Sequence, residues 1–301
     1  QEKTTFILVM GMTGSGKSTL VQHCTGNNVQ VGHGLQSCTK LPPIFSYLYS
    51  FFHEGHHIHL IDTPGFDDTN RSDIDTLKTI ATYLSTSFAN GVRISGIIYL
   101  HRISDNRLSG TGLRNLRVFK KLAGSNAWPN TVIGTTMWKA DEYMQGEARE
   151  IELSGDVTYF GDLLSRGAKL FRIAEHETGA EEQRHSSLRV VSHLLQRTRT
   201  VAVIDLRIQR ELVVDGKTLD ATAAGREALG NLYHLRRQLA RQVEIARHDM
   251  QDALKVRDIE SARQLQAIET ECTRKISKSQ KQQQKLKTSL MEIHDKEVDK
   301  L

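Results

Sequence analysis

Residues 11–18 read Gly-Met-Thr-Gly-Ser-Gly-Lys-Ser, directly behind the apolar run Phe6-Ile7-Leu8-Val9-Met10 and ahead of the helix-competent Thr19-Leu20-Val21-Gln22-His23. A buried strand, a G-x-x-x-x-G-K-S turn and a helix in that order form a phosphate-binding loop. Glycines at 11, 14 and 16 let the backbone bend so that successive N–H groups face one centre. The donors expected to cradle a polyphosphate belong to Thr13, Gly14, Ser15, Gly16, Lys17, Ser18 and Thr19, aided by the positive end of the helix. Lys17 is placed to reach the terminal phosphates and the Ser18 hydroxyl to ligate Mg²⁺.

The same loop serves ATPases, kinases and GTPases, so the rest of the chain must choose. Residues 58–65 read Ile-His-Leu-Ile-Asp-Thr-Pro-Gly, a second apolar strand that delivers Asp62 to a tight turn. D-x-x-G after the first loop is a switch II signature: Asp62 holds Mg²⁺ through water and the Gly65 N–H senses the γ-phosphate. Between the two motifs, residues 31–40 are polar and aperiodic, which predicts a loop. A hydroxyl from this loop is expected on the metal. Thr39 is the first choice, with Thr25 and Ser37 as competitors.

Taken together, the loop at 11–18, the segment Gly32-His33-Gly34-Leu35 through Thr39, the run Asp62-Thr63-Pro64-Gly65-Phe66-Asp67-Asp68 and the later Tyr99-Leu100-His101-Arg102-Ile103-Ser104 resemble the septin-like, immunity-associated TRAFAC GTPases. The closest likeness is to fungal G-domain proteins, and it covers about residues 5–200. The resemblance implies a P-loop NTPase fold and a Mg²⁺-dependent GTPase, with GTP and GDP as ligands, that dimerises through its nucleotide face. It also implies an arginine after the fourth strand that acts across the dimer. Arg102 holds that place, although pairing with Asp105 is an equal reading.

Hydrolysis needs a group that orients water. Many small GTPases carry Gln just after D-x-x-G, but Phe66 stands there, so slow intrinsic turnover is expected. Arg102 would then neutralise charge developing on the γ-phosphate, and His33 is a second candidate for positioning water.

Base recognition departs from the usual pattern. N/T-K-x-D is expected after the fifth core strand, and here residues 136–141 read Thr-Met-Trp-Lys-Ala-Asp. Thr136 fits the first place. Met137 replaces the lysine, Lys139 stands where Asp belongs, and Asp141 follows two residues later. Either Asp141 reaches the base or Trp138 stacks on it. Guanine over adenine therefore rests on the resemblance. Glu175 and His176, after the sixth strand, are candidates for the last base-contacting loop.

The strands are predicted near 5–10, 43–50, 57–62, 93–100, 130–135 and 168–173, and the helices near 17–25, 73–88, 111–123, 156–166 and 184–198. Each strand is short and apolar, as in a sheet covered on both faces. A turn at His53-Glu54-Gly55 makes the second strand the antiparallel member. The fold class is therefore α/β, a three-layer P-loop fold with a mostly parallel six-stranded sheet, one antiparallel strand and a helical C-terminal extension. Residues 141–155 look like a helix-competent insertion. His53, His56, His57 and His59 crowd the hairpin, where solvated histidines are a commoner outcome than a metal site.

Three cysteines, at 24, 38 and 272, argue against a disulfide framework. No apolar run reaches the length of a membrane span and no signal sequence is visible, so a cytoplasmic protein is expected. The domain division expected is 1–200 for the G domain and 201–301 for the extension. From about 205 onward Pro is absent, and the last glycine is Gly230. Leu229, Leu232, Leu235, Leu239, Val243, Ala246, Met250 and Ala253 recur three and four apart, a helical stripe that weakens beyond Val256 and resumes at Leu286, Leu290 and Ile293. Such a stripe predicts a helical hairpin or coiled coil that contributes to homodimerisation. Arg274, Lys275, Lys278, Lys281, Lys285 and Lys287 form a basic run that suits a solvated face better than a membrane surface. A net charge of +5 is too mild to argue for nucleic acid. Besides the slow, dimer-activated GTPase, the residues leave open a scaffold that binds GTP with little hydrolysis, and a weaker ATPase or kinase reading.

Overall fold

The structure, a computed structural model, describes residues 3–26, 48–68, 71–105, 108, 110–173, 179–200 and 203–287. Six strands form one sheet in the order β2-β3-β1-β4-β5-β6. They are β1 (Lys3–Gly11), β2 (Leu48–His53), β3 (His56–Asp62), β4 (Gly96–Arg102), β5 (Thr131–Thr136) and β6 (Lys169–Arg172). Every neighbouring pair is parallel except β2 with β3. Their hairpin turns on Glu54 and Gly55, both at positive φ (49° and 77°), and the twist of such a turn matches that of the flanking strands. The strand β2 runs on to His53 rather than ending near 50, and its predicted start at 43–47 lies outside the described residues.

Side chains along β1 alternate between two cores, as the two-residue period of a strand requires. Ile7 and Val9 face a cluster with Leu20 and Val21 of α1 (Lys17–Thr25) and Val191 and Leu195 of α6 (Ala180–Thr200). Leu8 and Met10 face the other way. They meet Leu77 and Leu84 of α2 (Asp73–Ala89) and Leu116 and Phe119 of α3 (Gly110–Ala123). Phe119 stacks on Tyr99 of β4 at 4.4 Å between ring centroids. This is the three-layer arrangement expected from the sequence.

The segment after β5 is divided differently from the prediction. Residues 141–155 form α4 (Tyr143–Gly155) behind a short 3₁₀ turn at Ala140–Glu142, whereas the helix expected over 156–166 shrinks to α5 (Gly161–Ser165). Asp156 accepts a hydrogen bond from the Thr158 N–H at 2.7 Å, a local turn that competes with the helix.

The apolar core continues beyond residue 200. Ile204 bridges to Ile94, and Leu206, Ile208, Leu212 and Leu219 are buried in the same cluster as α2 and α3. Ile208 lies in α7 (Arg207–Gln209), which continues as a wider π-type turn through Val214. The Thr222 hydroxyl then caps α8 (Ala223–Lys255) by accepting from the Gly225 N–H at 3.0 Å. At Arg257 the chain turns with φ 59°. Asp258 caps α9 (Ile259–Leu286) through the Ser261 N–H at 3.1 Å.

The two long helices lie against each other as an antiparallel hairpin. Arg236 donates to Gln283 at 2.7 Å and Arg247 to Glu269 at 2.6 Å, while Leu239, Ala246, Ala262 and Cys272 are buried between the helices and at their edges. Leu235 of the predicted stripe remains exposed, and Leu286 returns to the main core. Lys275 and Lys278 of the basic run are exposed.

Two glycines of α8 give opposite expectations. A Cβ on Gly225 would overlap the Leu219 carbonyl oxygen, whereas one on Gly230 meets nothing within 4 Å. Gly225→Ala is therefore expected to cost about 2 kcal/mol or more, and Gly230→Ala to add about 0.5–1 kcal/mol through helix propensity. Paired urea-unfolding curves with unchanged m-values check both.

Candidate functional site

The register of the parallel strands gathers the motifs at one edge of the sheet. Val9 pairs with Asp62, Gly11 with Leu100, and Arg102 with Thr136. The first loop, the D-x-x-G turn, the end of β4 and the base loop therefore all leave from the carboxyl ends of neighbouring strands, where such sheets bind ligands.

Gly14 and Gly16 sit at φ 76° and 89°, a region that side chains with a Cβ enter at a cost. Gly16 caps α1, whose first intrahelical bond runs from the Leu20 N–H to the Gly16 carbonyl at 2.8 Å. The N–H groups of Lys17, Ser18 and Thr19 precede that bond and are the free donors of a helix start. Two expected donors are already used. The Thr13 N–H donates to the Phe66 carbonyl at 2.8 Å and the Ser15 N–H to Met12 at 3.2 Å. The cradle thus draws on fewer backbone donors than the motif alone implies.

Lys17 is buried and curls over the loop, donating from Nζ to the carbonyls of Gly11 (3.3 Å) and Met12 (2.8 Å). Burial lowers its pKa, opposed by the nearby charges of Asp62 and Asp68.

Ser18 Oγ donates to Asp62 Oδ2 at 2.9 Å. The other carboxylate oxygen, Oδ1, is buried and has no hydrogen-bond partner among the described residues. Burial raises the pKa of Asp62, opposed by the Ser18 hydrogen bond and by Lys17. A buried anion with one unsatisfied oxygen beside a hydroxyl that keeps its lone pairs is the hard-oxygen donor set that Mg²⁺ takes, with waters and phosphate filling the remainder. Ser18 and Asp62 therefore fit the metal role predicted for them.

The D-x-x-G turn is closed against the loop. Thr63 donates to the Val9 carbonyl through both N–H (3.2 Å) and Oγ1 (2.8 Å), and Met12 and Phe66 form a parallel bridge. A Cβ on Gly65 would lie 2.6 Å from the Thr13 nitrogen, so only glycine permits this approach. Phe66 is 2% exposed and packs in the main core. The residue that replaces glutamine is thus an anchor for the switch.

Arg102 ends β4 and is held by Asp105 at 3.1 Å. Its Nη1 lies 3.2 Å from where a Gly14 Cβ would stand, so the guanidinium flanks the loop of its own chain. Thr136 Oγ1 donates to the Ser15 carbonyl at 3.0 Å, tying the base loop to the phosphate loop.

Trp138 requires a correction. It is 4% exposed, and its Nε1 donates to the Thr135 carbonyl at 3.3 Å. Gly146 backs one part of the ring, and the Arg172 guanidinium sits 4.5 Å from the ring centroid. No face is left on which a base can stack. Met137, exposed and at φ 59°, is the apolar side chain presented from this loop, whereas Asp141 is exposed at the start of the 3₁₀ turn and Lys139 pairs with Glu142 at 3.1 Å.

Beneath lies a network that sequence reasoning missed. Glu150 of α4 accepts from Thr135 Oγ1 (2.9 Å) and from Arg172 Nε (2.7 Å), and Arg172 also donates to Tyr143 (2.7 Å) and Glu147 (3.2 Å). It locks the backbone from which Thr136 projects. Glu147 and Glu150 stand on one face of a helix, but nothing local marks Arg172 as their partner.

Thr39, His33, Glu175 and His176 lie outside the described residues, as do the competitor Ser37 and the cysteine at 38. Among the described residues no cluster of His, Cys, Asp and Glu is arranged to hold a metal ion. His59 stacks on Phe6 at 4.8 Å and shares a hydrogen bond with Ser50, and His53 bonds Ser192 at 2.9 Å. No described helix is long and apolar enough to cross a membrane.

Residues 6–109 match the family described as 50S ribosome-binding GTPase. No curated protein sequence matches the chain. The fold is similar to that of Toc33 from Arabidopsis thaliana in complex with GDP and Mg²⁺, with TM-score 0.50 and 17% identity over 68% of this chain and 88% of that one. A lower score, TM-score 0.40 at 16% identity, relates it to the cytosolic domain of the T. maritima FeoB iron transporter in its GMPPNP form, over 67% of this chain and 66% of that one. The family match supports a GTP-binding GTPase, and the likeness to Toc33 shows the P-loop GTPase fold with its C-terminal helices as an addition.

The site also carries a pH signature. His101, beside Arg102, is buried against Phe160, and burial pushes its pKa down to about 4. Its folded pKa lies below the unfolded value, so the unfolded chain binds the extra proton. Stability is then complete above about pH 6.5 and falls as pH drops toward 4, by on the order of 3 kcal/mol at the limit. His23, His59 and His193, also lowered by burial, add to the same slope. Thermal unfolding of His101→Gln between pH 7 and 5 should show a visibly flatter pH dependence than the parent.

Proposed function

We propose that this chain is a slow, Mg²⁺-dependent GTPase of the septin-like, immunity-associated kind, activated when two copies meet through their nucleotide faces. The pairing of Ser18 Oγ with Asp62, leaving Asp62 Oδ1 buried and unpartnered beside Lys17, carries this reading. Lys17 and the α1 N–H groups bind the phosphates, Ser18 and Asp62 hold the cation together with Thr39, and Gly65 brings the switch to the loop. When bound, Mg²⁺ supplies positive charge for the β- and γ-phosphate oxygens.

Guanine recognition draws on Thr136, which fixes the base loop to the phosphate loop, on the apolar cover of Met137 and on Asp141. Arg102 is the charge-compensating group. Its one-third exposed side chain stands at the rim of the loop, where among the described residues its ion pair is with the partly exposed Asp105. That position suits delivery to a facing subunit. The long hairpin adds to self-association, and the protein works in the cytoplasm.

The burial of Phe66 favours a second reading, a scaffold that binds GTP, barely hydrolyses it and assembles in the bound state. Phosphate release per subunit, followed over a range of protein concentrations, separates these readings. Under the first, the rate rises with concentration and Arg102→Ala lowers it at least ~100-fold, while Lys17→Ala abolishes binding of GTP and GDP. A rate that falls in Arg102→Ala but ignores concentration moves the arginine to its own subunit. A rate that survives the substitution removes Arg102 from catalysis. Undetectable release with GTP-dependent light scattering selects the scaffold.

A further inference from the structure

A cavity of about 450 Å³ opens where α3, α7 and the first turns of α8 meet. Arg117 and Lys121 line it from α3, Arg207 from α7, and Arg226 and His234 from α8, with Glu227 the one carboxylate among the lining residues. No part of the phosphate loop, the D-x-x-G turn or the base loop takes part. Two of the guanidiniums are held in place: Arg117 by Glu227 at 2.9 Å and Arg207 by Glu211 at 3.4 Å. Lys121 and Arg226 are exposed and have no ion pair among the described residues.

Glu227 and Glu211 offset Arg117 and Arg207, which leaves the charges of Lys121 and Arg226 unbalanced at the cavity, where they repel the neighbouring cations. The arginine forks match phosphate oxygens two at a time. The volume falls in the range of small-molecule sites. We propose that this cavity binds a small anion carrying two or more phosphate groups, either free or as a lipid headgroup. Bound there, it joins α3 of the G domain to the base of the hairpin and removes the repulsion between them.

The test uses the full chain with excess GDP and Mg²⁺, so that the nucleotide site does not compete. Inositol hexakisphosphate and pyrophosphate are titrated calorimetrically at fixed ionic strength. Phosphatidylcholine vesicles with and without phosphatidylinositol bisphosphate are tested by co-sedimentation. Lys121→Gln/Arg226→Gln changes two exposed side chains, and Lys275→Gln/Lys278→Gln on α9 serves as a charge-matched control.

The expected result is one-to-one binding that weakens about tenfold or more in the first double variant, from the loss of charge-assisted bonds, and is unchanged in the control. Binding of the soluble probes identifies a free ligand, and binding of the phosphoinositide vesicles alone identifies a headgroup. The proposal is overturned by absence of binding in both arms, by binding that survives Lys121→Gln/Arg226→Gln, or by equal weakening in both double variants. Neither the probes nor the variants touch the nucleotide site, so failure here leaves the GTPase reading standing.

Discussion

The structure depends on a carboxylate kept in a place that disfavours it. Asp62 ends the third strand in a buried position, and burial opposes its charge. The Ser18 hydroxyl and the Lys17 ammonium, both on the first turn of α1, are the groups that offset this. Strand, loop and helix are thereby coupled through a single charge, which a divalent cation would complete. The closure of Gly65 onto Thr13 and the anchoring of Phe66 in the core extend the same arrangement, because they hold the turn after Asp62 tight to the loop.

Much of this was legible in the sequence for a simple reason. Each strand is a short apolar run ended by turn residues, and the glycines of the first loop are spaced by the geometry of phosphate binding. The antiparallel edge strand followed from Glu54-Gly55 alone. The meeting of Ser18 with Asp62 followed from two motifs whose order and separation leave few other folds.

What was misread depended on contacts between distant residues. Trp138 reads as a base platform only while Glu150 and Arg172 are left out of account. Once these two and Tyr143 close around it, the indole is interior, and the aromatic signal belongs to packing. The continuation of the core past residue 200 did carry a local signal, the alternation of Ile204, Leu206 and Ile208, which the composition shift around 205 obscured. The break between α8 and α9 falls where the helical stripe weakens beyond Val256, and Asp258, three residues before Ser261, marks the new helix start.

Leu286 closes the far end of α9 into the same core that holds α2, and α2 begins just beyond the D-x-x-G turn. The hairpin is therefore rooted at both of its ends, while Val256, Arg257 and Asp258 at its tip are exposed. A helix of 28 residues is about 42 Å long, so each degree of tilt at the root carries the tip through about 0.7 Å. Displacements of α2 too small to disturb packing around the sheet become several ångströms of travel at Val256, in the manner of a pointer on a pivot.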